Sequence, residues 1–192
     1  MNATILKQQK LETLYSPLKE CKGCHFKMPL ATQLVFGMGT PDAPLVFIGE
    51  APGEQEDLQG KPFVGRSGRL LDKILESLDT NRNQFYITNI VKSRPPNNRK
   101  PLPAEMARSR DFLLKQLAII NPKAICTLGS AALEGLMQEP VQITKKRGKT
   151  ILFQGIPVIP AYHPAYILRN PKELPTLVQD ITSAIELALG GG

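Results

Sequence analysis

Four short apolar runs, at 45–48, 85–88, 124–128 and 157–160, are separated by stretches whose apolar residues recur at helical spacing. A run of this kind has no polar face, so as a strand it is buried on both sides. Such strands belong to parallel sheets with helices packed on both faces. The intervening segments supply the helices. Positions 67–78 put Leu70, Leu71, Ile74, Leu75 and Leu78 on one face. Pro103–Ile120 opens on a proline and repeats Met106, Leu113, Leu117 and Ile120. Ser130–Met137 and 176–189 complete the set, and Leu11, Leu14, Tyr15 and Leu18 mark an N-terminal helix over 3–18. Ile151–Phe153 ahead of Gly155 reads as half of a hairpin with the fourth run. The expected fold is a single three-layer α/β domain over 1–192, built on a mainly four-stranded parallel sheet. Residues 1–30 hold the N-terminal helix and a cysteine segment, and 190–192 are a glycine tail.

The chain's 192 residues suit one domain with one core. With 42% hydrophobic and 21% charged residues it has a globular composition. The net charge of +7 points to a polyanionic partner, nucleic acid before membrane. No run reaches the roughly 18 apolar residues of a membrane span. The first twenty residues lack the apolar core of a secretion signal, so the expected compartment is the cytoplasm. Three cysteines exclude a disulfide scaffold.

Each apolar run ends in a marked residue: Gly49-Glu50, Asn89, Gly129 and His163. Ligands of open parallel sheets bind beyond the carboxyl ends of the strands. Gly129 suits an ordinary turn. Glu50, Asn89 and His163 bring three polar chemistries to one rim, which favours a site. After the first run comes GEAPGEQED, continuing to GKPFVG, with five glycines between 49 and 68. A loop of this composition exposes backbone N–H groups. Its spacing matches neither a Walker A loop nor a dinucleotide fingerprint. On composition alone Glu54, Glu56 and Asp57 read as a solvated acidic loop.

Three blocks, GEAPGEQED with GKPFVGRSG, YITNIVKSRPPNNRKPLP, and AYHPAYILRN, resemble the signatures of the family-four uracil-DNA glycosylases, the iron–sulfur branch of that superfamily. The likeness runs from about Leu11 to about Leu187. It implies a monofunctional enzyme that extrudes uracil from DNA, hydrolyses its N-glycosidic bond and leaves an abasic site. The implied partner is uracil-containing DNA, bound by a monomer without a membrane.

The implied roles agree with the chemistry. Phe63 gives a flat face for the ring, although a core phenylalanine is a serious alternative. Asn89 can donate to O4 and accept from N3–H, where cytosine presents the opposite pattern; its alternative is a helix cap. His163, as neutral imidazole, donates to O2 as charge develops there. Ala51 and Gly53 complete the uracil contacts. The best-known branch of the superfamily has a water-positioning Asp where this chain has Ala51. Glu56 is therefore the first candidate for the water, and Glu50 for contacts near the sugar. Lys92 and Arg94, with Lys146 and Arg147, read as phosphate contacts together with Arg169. Ile167, with Leu168 second, is the wedge that fills the gap left by the base, unless both simply pack a helix start.

Cys21 and Cys24 spell C-x-x-C-H. Haem attachment demands export, and a thioredoxin-type site demands a preceding strand. In family four this pair and two further cysteines hold a 4Fe–4S cluster. The resemblance places the other two ligands at Ser93 and Ser109, and a serine oxygen is a poor match to iron–sulfur chemistry. The cluster is therefore expected to be absent or incomplete in this chain. Ser109 falls on the inward stripe of its helix, between Met106 and Leu113. Two other readings stand beside the glycosylase. One is a non-catalytic DNA-binding relative, suggested by Ala51 and the missing cysteines. The other is a redox or metal module around Cys21 and Cys24, which two thiolates alone support poorly.

Overall fold

The computed structural model describes residues 2–19 and 26–190. Among these residues one six-stranded sheet forms the middle layer, in the order β1-β3-β2-β4-β6-β5. The strands are β1 (Met38–Gly39), β2 (Leu45–Gly49), β3 (Tyr86–Asn89), β4 (Ala124–Leu128), β5 (Ile151–Phe153) and β6 (Ile156–Ala161). The four strands read from the apolar runs pair in parallel, β3-β2-β4-β6. The sheet exceeds the four strands expected because an antiparallel edge strand is added on each side. The hairpin anticipated at 150–158 is one of these, turning through Gln154 and Gly155, both at positive φ. The other, β1, is two residues long and carries no periodicity to detect.

The helices are α1 (Ala3–Lys19), α2 (Glu54–Gln59), α3 (Arg66–Ser77), α4 (Pro103–Ile120), α5 (Ser130–Met137), α6 (Ile143–Lys146), α7 (Pro164–Arg169) and α8 (Leu174–Leu189). Alternate residues of the central strands feed two cores. Val46, Ile48, Ile125 and Val158 pack with Leu113 and Leu117 of α4 and Leu133 and Leu136 of α5. Leu45, Phe47, Ile87 and Ile159 face Leu71 and Leu75 of α3 and Leu177 and Ile181 of α8. This period-two division across one sheet is the three-layer arrangement. None of the helices described is long and apolar enough to cross a membrane.

Helix α2 lies inside what the sequence presents as a glycine–proline loop. Glu54, Glu56 and Asp57 occupy its first turn, where carboxylates oppose the positive end of the helix dipole. Gly60 closes it in the left-handed conformation, φ +68°. Asp57 is not a solvated acid: it is buried and accepts from the amides of Thr32 and Gln33, tying the incoming chain to this helix.

On the opposite flank Asp180 of α8 is buried and accepts from Arg147 Nε at 2.8 Å. The Arg147 guanidinium also lies over the Tyr162 ring, 5.6 Å from its centroid. Replacing Asp180 with Ala strands that guanidinium. The expected loss of unfolding free energy in urea titrations is about 3 kcal/mol with an unchanged slope. A loss below about 1 kcal/mol would show that solvent already screens the pair.

Candidate active site

All four parallel strands end on the same side, and the register there sets the first contacts. Gly49 of β2 lies opposite Asn89 of β3. A Cβ on Gly49 would stand 2.4 Å from Asn89 Oδ1 and 2.5 Å from Phe63 Cε2. Only glycine lets these two side chains meet. Phe63 holds φ +52°, a left-handed conformation that costs a non-glycine residue about 1–2 kcal/mol. Its surroundings must enforce it. Gly68 leaves room for the Phe63 carbonyl, since a Cβ there would lie 1.8 Å from that oxygen. Glu56 Oε1 accepts from Val64 N at 2.8 Å and Gly65 N at 2.7 Å, holding the loop that follows.

His163 follows β6 and caps α7 ahead of Pro164. Its Nδ1 accepts from Ala165 N at 3.0 Å, which leaves the proton of neutral imidazole on Nε2. Burial lowers its pKa to about 4, with Arg169 adding to the effect and Glu56 opposing it. The ring centroid lies 5.8 Å from that of Phe63. Asn89 is buried, and its Oδ1 has no hydrogen-bond partner among the described residues. An unpaired buried acceptor is costly unless a ligand satisfies it.

These side chains line a cavity of about 580 Å³, together with Glu50, Ala51, Gly53 and Glu56. Burial raises the Glu50 carboxyl, against the pull of Lys100. Asn98 and Arg99 form another wall, where Asn97 and Asn98 both take φ +54°. Arg94 Nε donates to Asn98 Oδ1 at 2.8 Å and pairs distantly with Glu54. Arg99 pairs with Glu105, and Lys100 with Glu134, which pins this basic loop to α4 and α5.

Several residues read as DNA contacts stand elsewhere. Lys92 is buried, and its ammonium donates to Thr88 Oγ1 at 2.6 Å and to Asn89 O at 2.7 Å. It faces inward and cannot reach a phosphate. Desolvation holds its pKa well below the usual lysine value. Ile167 is 2% exposed and belongs to the α3–α8 core, so it is no wedge. Leu168 and Tyr166, each 37% exposed, are the exposed large apolar residues of α7. Arg147 is committed to Asp180, whereas Lys146 and Arg169 are exposed. Arg82 was not visible from the sequence. It donates to Phe63 O from nineteen positions away, and no local pattern announces that bond.

Cys21 and Cys24 lie outside the described residues. Ser93 and Ser109 are both buried. Ser93 Oγ accepts from Met28 N at 3.0 Å and donates to Phe26 O at 2.8 Å. The hydroxyl is thus occupied on both counts by the segment that follows the cysteine pair. A donor set of two thiols and two serines, one already bonded, does not fit a 4Fe–4S cluster.

The family model for the uracil DNA glycosylase superfamily matches residues 36–186. A type-4 uracil-DNA glycosylase of Thermotoga maritima is 44% identical over 182 residues, covering 93% of this chain and 94% of that one. Type-4 enzymes of Sulfurisphaera tokodaii and Archaeoglobus fulgidus are 40% and 38% identical, over 93% and 85% of this chain and 85% and 86% of theirs. Matches of this extent span the sheet and every wall of the cavity, and with them the chain belongs to the uracil DNA glycosylase superfamily, among the type-4 uracil-DNA glycosylases.

Proposed function

We propose that this chain removes uracil from DNA by hydrolysing the bond between N1 of the base and C1′ of the sugar. The observation that carries the reading is the buried, unpartnered Asn89 Oδ1 beside the Phe63 ring. Uracil offers a donor at N3 and an acceptor at O4, which one amide satisfies together. Cytosine reverses both. The base stacks on Phe63, and Nε2–H of His163 donates to O2. As the glycosidic bond breaks, its electron pair passes to the base and charge gathers at O2. A donor already aimed there is stronger in the transition state than in the ground state.

Water attacks C1′ of the resulting cation, and the proton it gives up balances the uracil anion, which leaves as neutral uracil. Glu56 spends Oε1 on the loop amides, and Oε2 has no bond among the described residues. That free oxygen supports Glu56 as the holder of the water. Glu50, at the cavity's edge, suits contacts with the extruded sugar. Exposed Arg169 and Lys146, with Arg94 at the rim, are the proposed phosphate contacts, and Leu168 takes over from Ile167 as the wedge. We place this monomer in the cytoplasm, in keeping with the free thiol of buried Cys126, and its task at the first step of base excision repair. The chain works without a 4Fe–4S cluster, because Ser93 supplies by hydrogen bonding the tie that the metal would supply.

Asn89→Asp loses the donor to O4. It should lower uracil release from an oligonucleotide by about a hundredfold and weaken the rejection of cytosine. Full activity with full discrimination would remove Asn89 from the edge-reading role. The pH profile tests His163. With its pKa near 4, turnover should show no inflection at 6.5 and should fall only as pH drops toward about 4. The unfolded chain takes up this proton near 6.5, so stability also declines between 6.5 and 4. An inflection near 6.5 that vanishes in His163→Gln would contradict the neutral donor. The purified protein should be colourless, and its activity should be indifferent to chelators and oxidants that strip clusters. Ser93→Ala should destabilise it by about 1–3 kcal/mol and speed amide exchange at Met28. A brown protein with four irons per chain would overturn the cluster-free assignment.

A further inference from the structure

We infer that Arg82 is a positioning residue for the base slot. Through the main-chain carbonyl of Phe63 it sets where the ring stands, and thereby how tightly uracil is held. The inference rests on the stacking role proposed for Phe63.

Phe63 is gripped by its backbone, while its ring, buried at the edge of the α3–α8 core, lines the cavity. Arg82 Nη2 donates to Phe63 O at 2.6 Å. Gly68 gives that carbonyl its space, and Glu56 fixes the two amides that follow. The residue so held sits at φ +52°, a conformation that a phenylalanine leaves when its surroundings relax. Leaving it redirects the Cα–Cβ bond, and the ring no longer overlies Gly49. Of the groups holding the loop, Arg82 is the one that supplies a charged donor to Phe63 itself.

Arg82 is itself aimed. It opens a 3-10 turn, Arg82–Gln84, whose capping box is closed by Asn81 and Gln84. Asp72 of α3 accepts from Arg82 Nε at 2.7 Å. With Nε committed there, Nη2 is directed at Phe63. The guanidinium fork serves both partners at once, which the single ammonium of a lysine does less well. Arg82 is not part of the cavity lining, so its influence passes through Phe63 and not through contact with substrate.

Free uracil is the probe, because its inhibition constant reports the slot without the grip on DNA. Arg82→Ala should weaken inhibition by free uracil about tenfold and lower kcat/KM for uracil release by a similar factor. Affinity for DNA carrying an abasic site should stay unchanged. Arg82→Lys should recover part of the loss. In a Phe63→Ala background, adding Arg82→Ala should change kcat/KM by less than about twofold, since both act on one element. A folded Arg82→Ala protein with undiminished uracil affinity overturns the inference, as do penalties that multiply in full in the double variant. Should Arg82→Ala fail to fold, Arg82→Lys carries the same test, and unchanged uracil affinity there overturns it. If Phe63→Ala leaves uracil affinity intact, the stacking role falls and this inference falls with it. If Phe63→Ala is costly while the Arg82 variants are silent, the inference about Arg82 alone fails.

Discussion

Gly49 ends β2 with Asn89 beside it on β3, and the space where its side chain would stand is taken by the Asn89 amide and the edge of the Phe63 ring. The parallel register brings the amide to this point. The left-handed turn at Phe63 brings the ring. Neither arrangement is stable by default: one leaves a buried acceptor unpaired, and the other holds a phenylalanine at positive φ. The surrounding structure therefore invests in both. Arg82 and Gly68 accommodate the Phe63 carbonyl, and Lys92 donates to the Asn89 carbonyl from behind. Phe63 and Asn89 are thus each held through the main-chain carbonyl by a basic side chain.

Some basic side chains serve the structure, but paired charges cancel, so the net +7 belongs to the unpaired ones. Arg82, Arg94, Arg99, Lys100 and Arg147 are paired with Asp72, Glu54, Glu105, Glu134 and Asp180, and Lys92 is buried. Several of these pairs hold the walls of the cavity in place. The exposed basic residues outside these pairs include Lys61, Arg66 and Arg69 as well as Lys145, Lys146, Lys149 and Arg169, and Arg66 and Arg169 line the cavity.

The central strands and long helices were legible because burial on two faces and helical period leave marks that do not depend on distant partners. Pro103–Ile120 and Ser130–Met137 fall where their periodicity places them, and Ser109 is inward as its stripe requires. The gathering of Glu50, Asn89 and His163 around one cavity followed from parallel topology. What failed has a common cause. Lys92 and Ile167 were assigned by their neighbours in the chain, but a residue next to a site in sequence can face the core. Helix α2 was hidden because the glycines that bound it, Gly53 and Gly60, also spell a loop. Arg82 left no trace because its contact is made to a carbonyl, which every residue has.

The serines at positions 93 and 109 fit the same separation between side chain and main chain. A cluster bonds to side chains, and the serines at these two positions offer it no thiolate. The segment after Cys24 does not need that bond to stay near β3, because its backbone at Phe26 and Met28 meets the Ser93 hydroxyl, and Val35 N donates to Lys92 O. Aromatic packing reinforces the tie: Phe26 and Phe36 both stack on Phe112, and Phe36 on Tyr15. These contacts reach the turn that carries Lys92, whose ammonium in turn holds the carbonyl of Asn89. The support of Asn89 thus runs through hydrogen bonds and apolar contacts at each step.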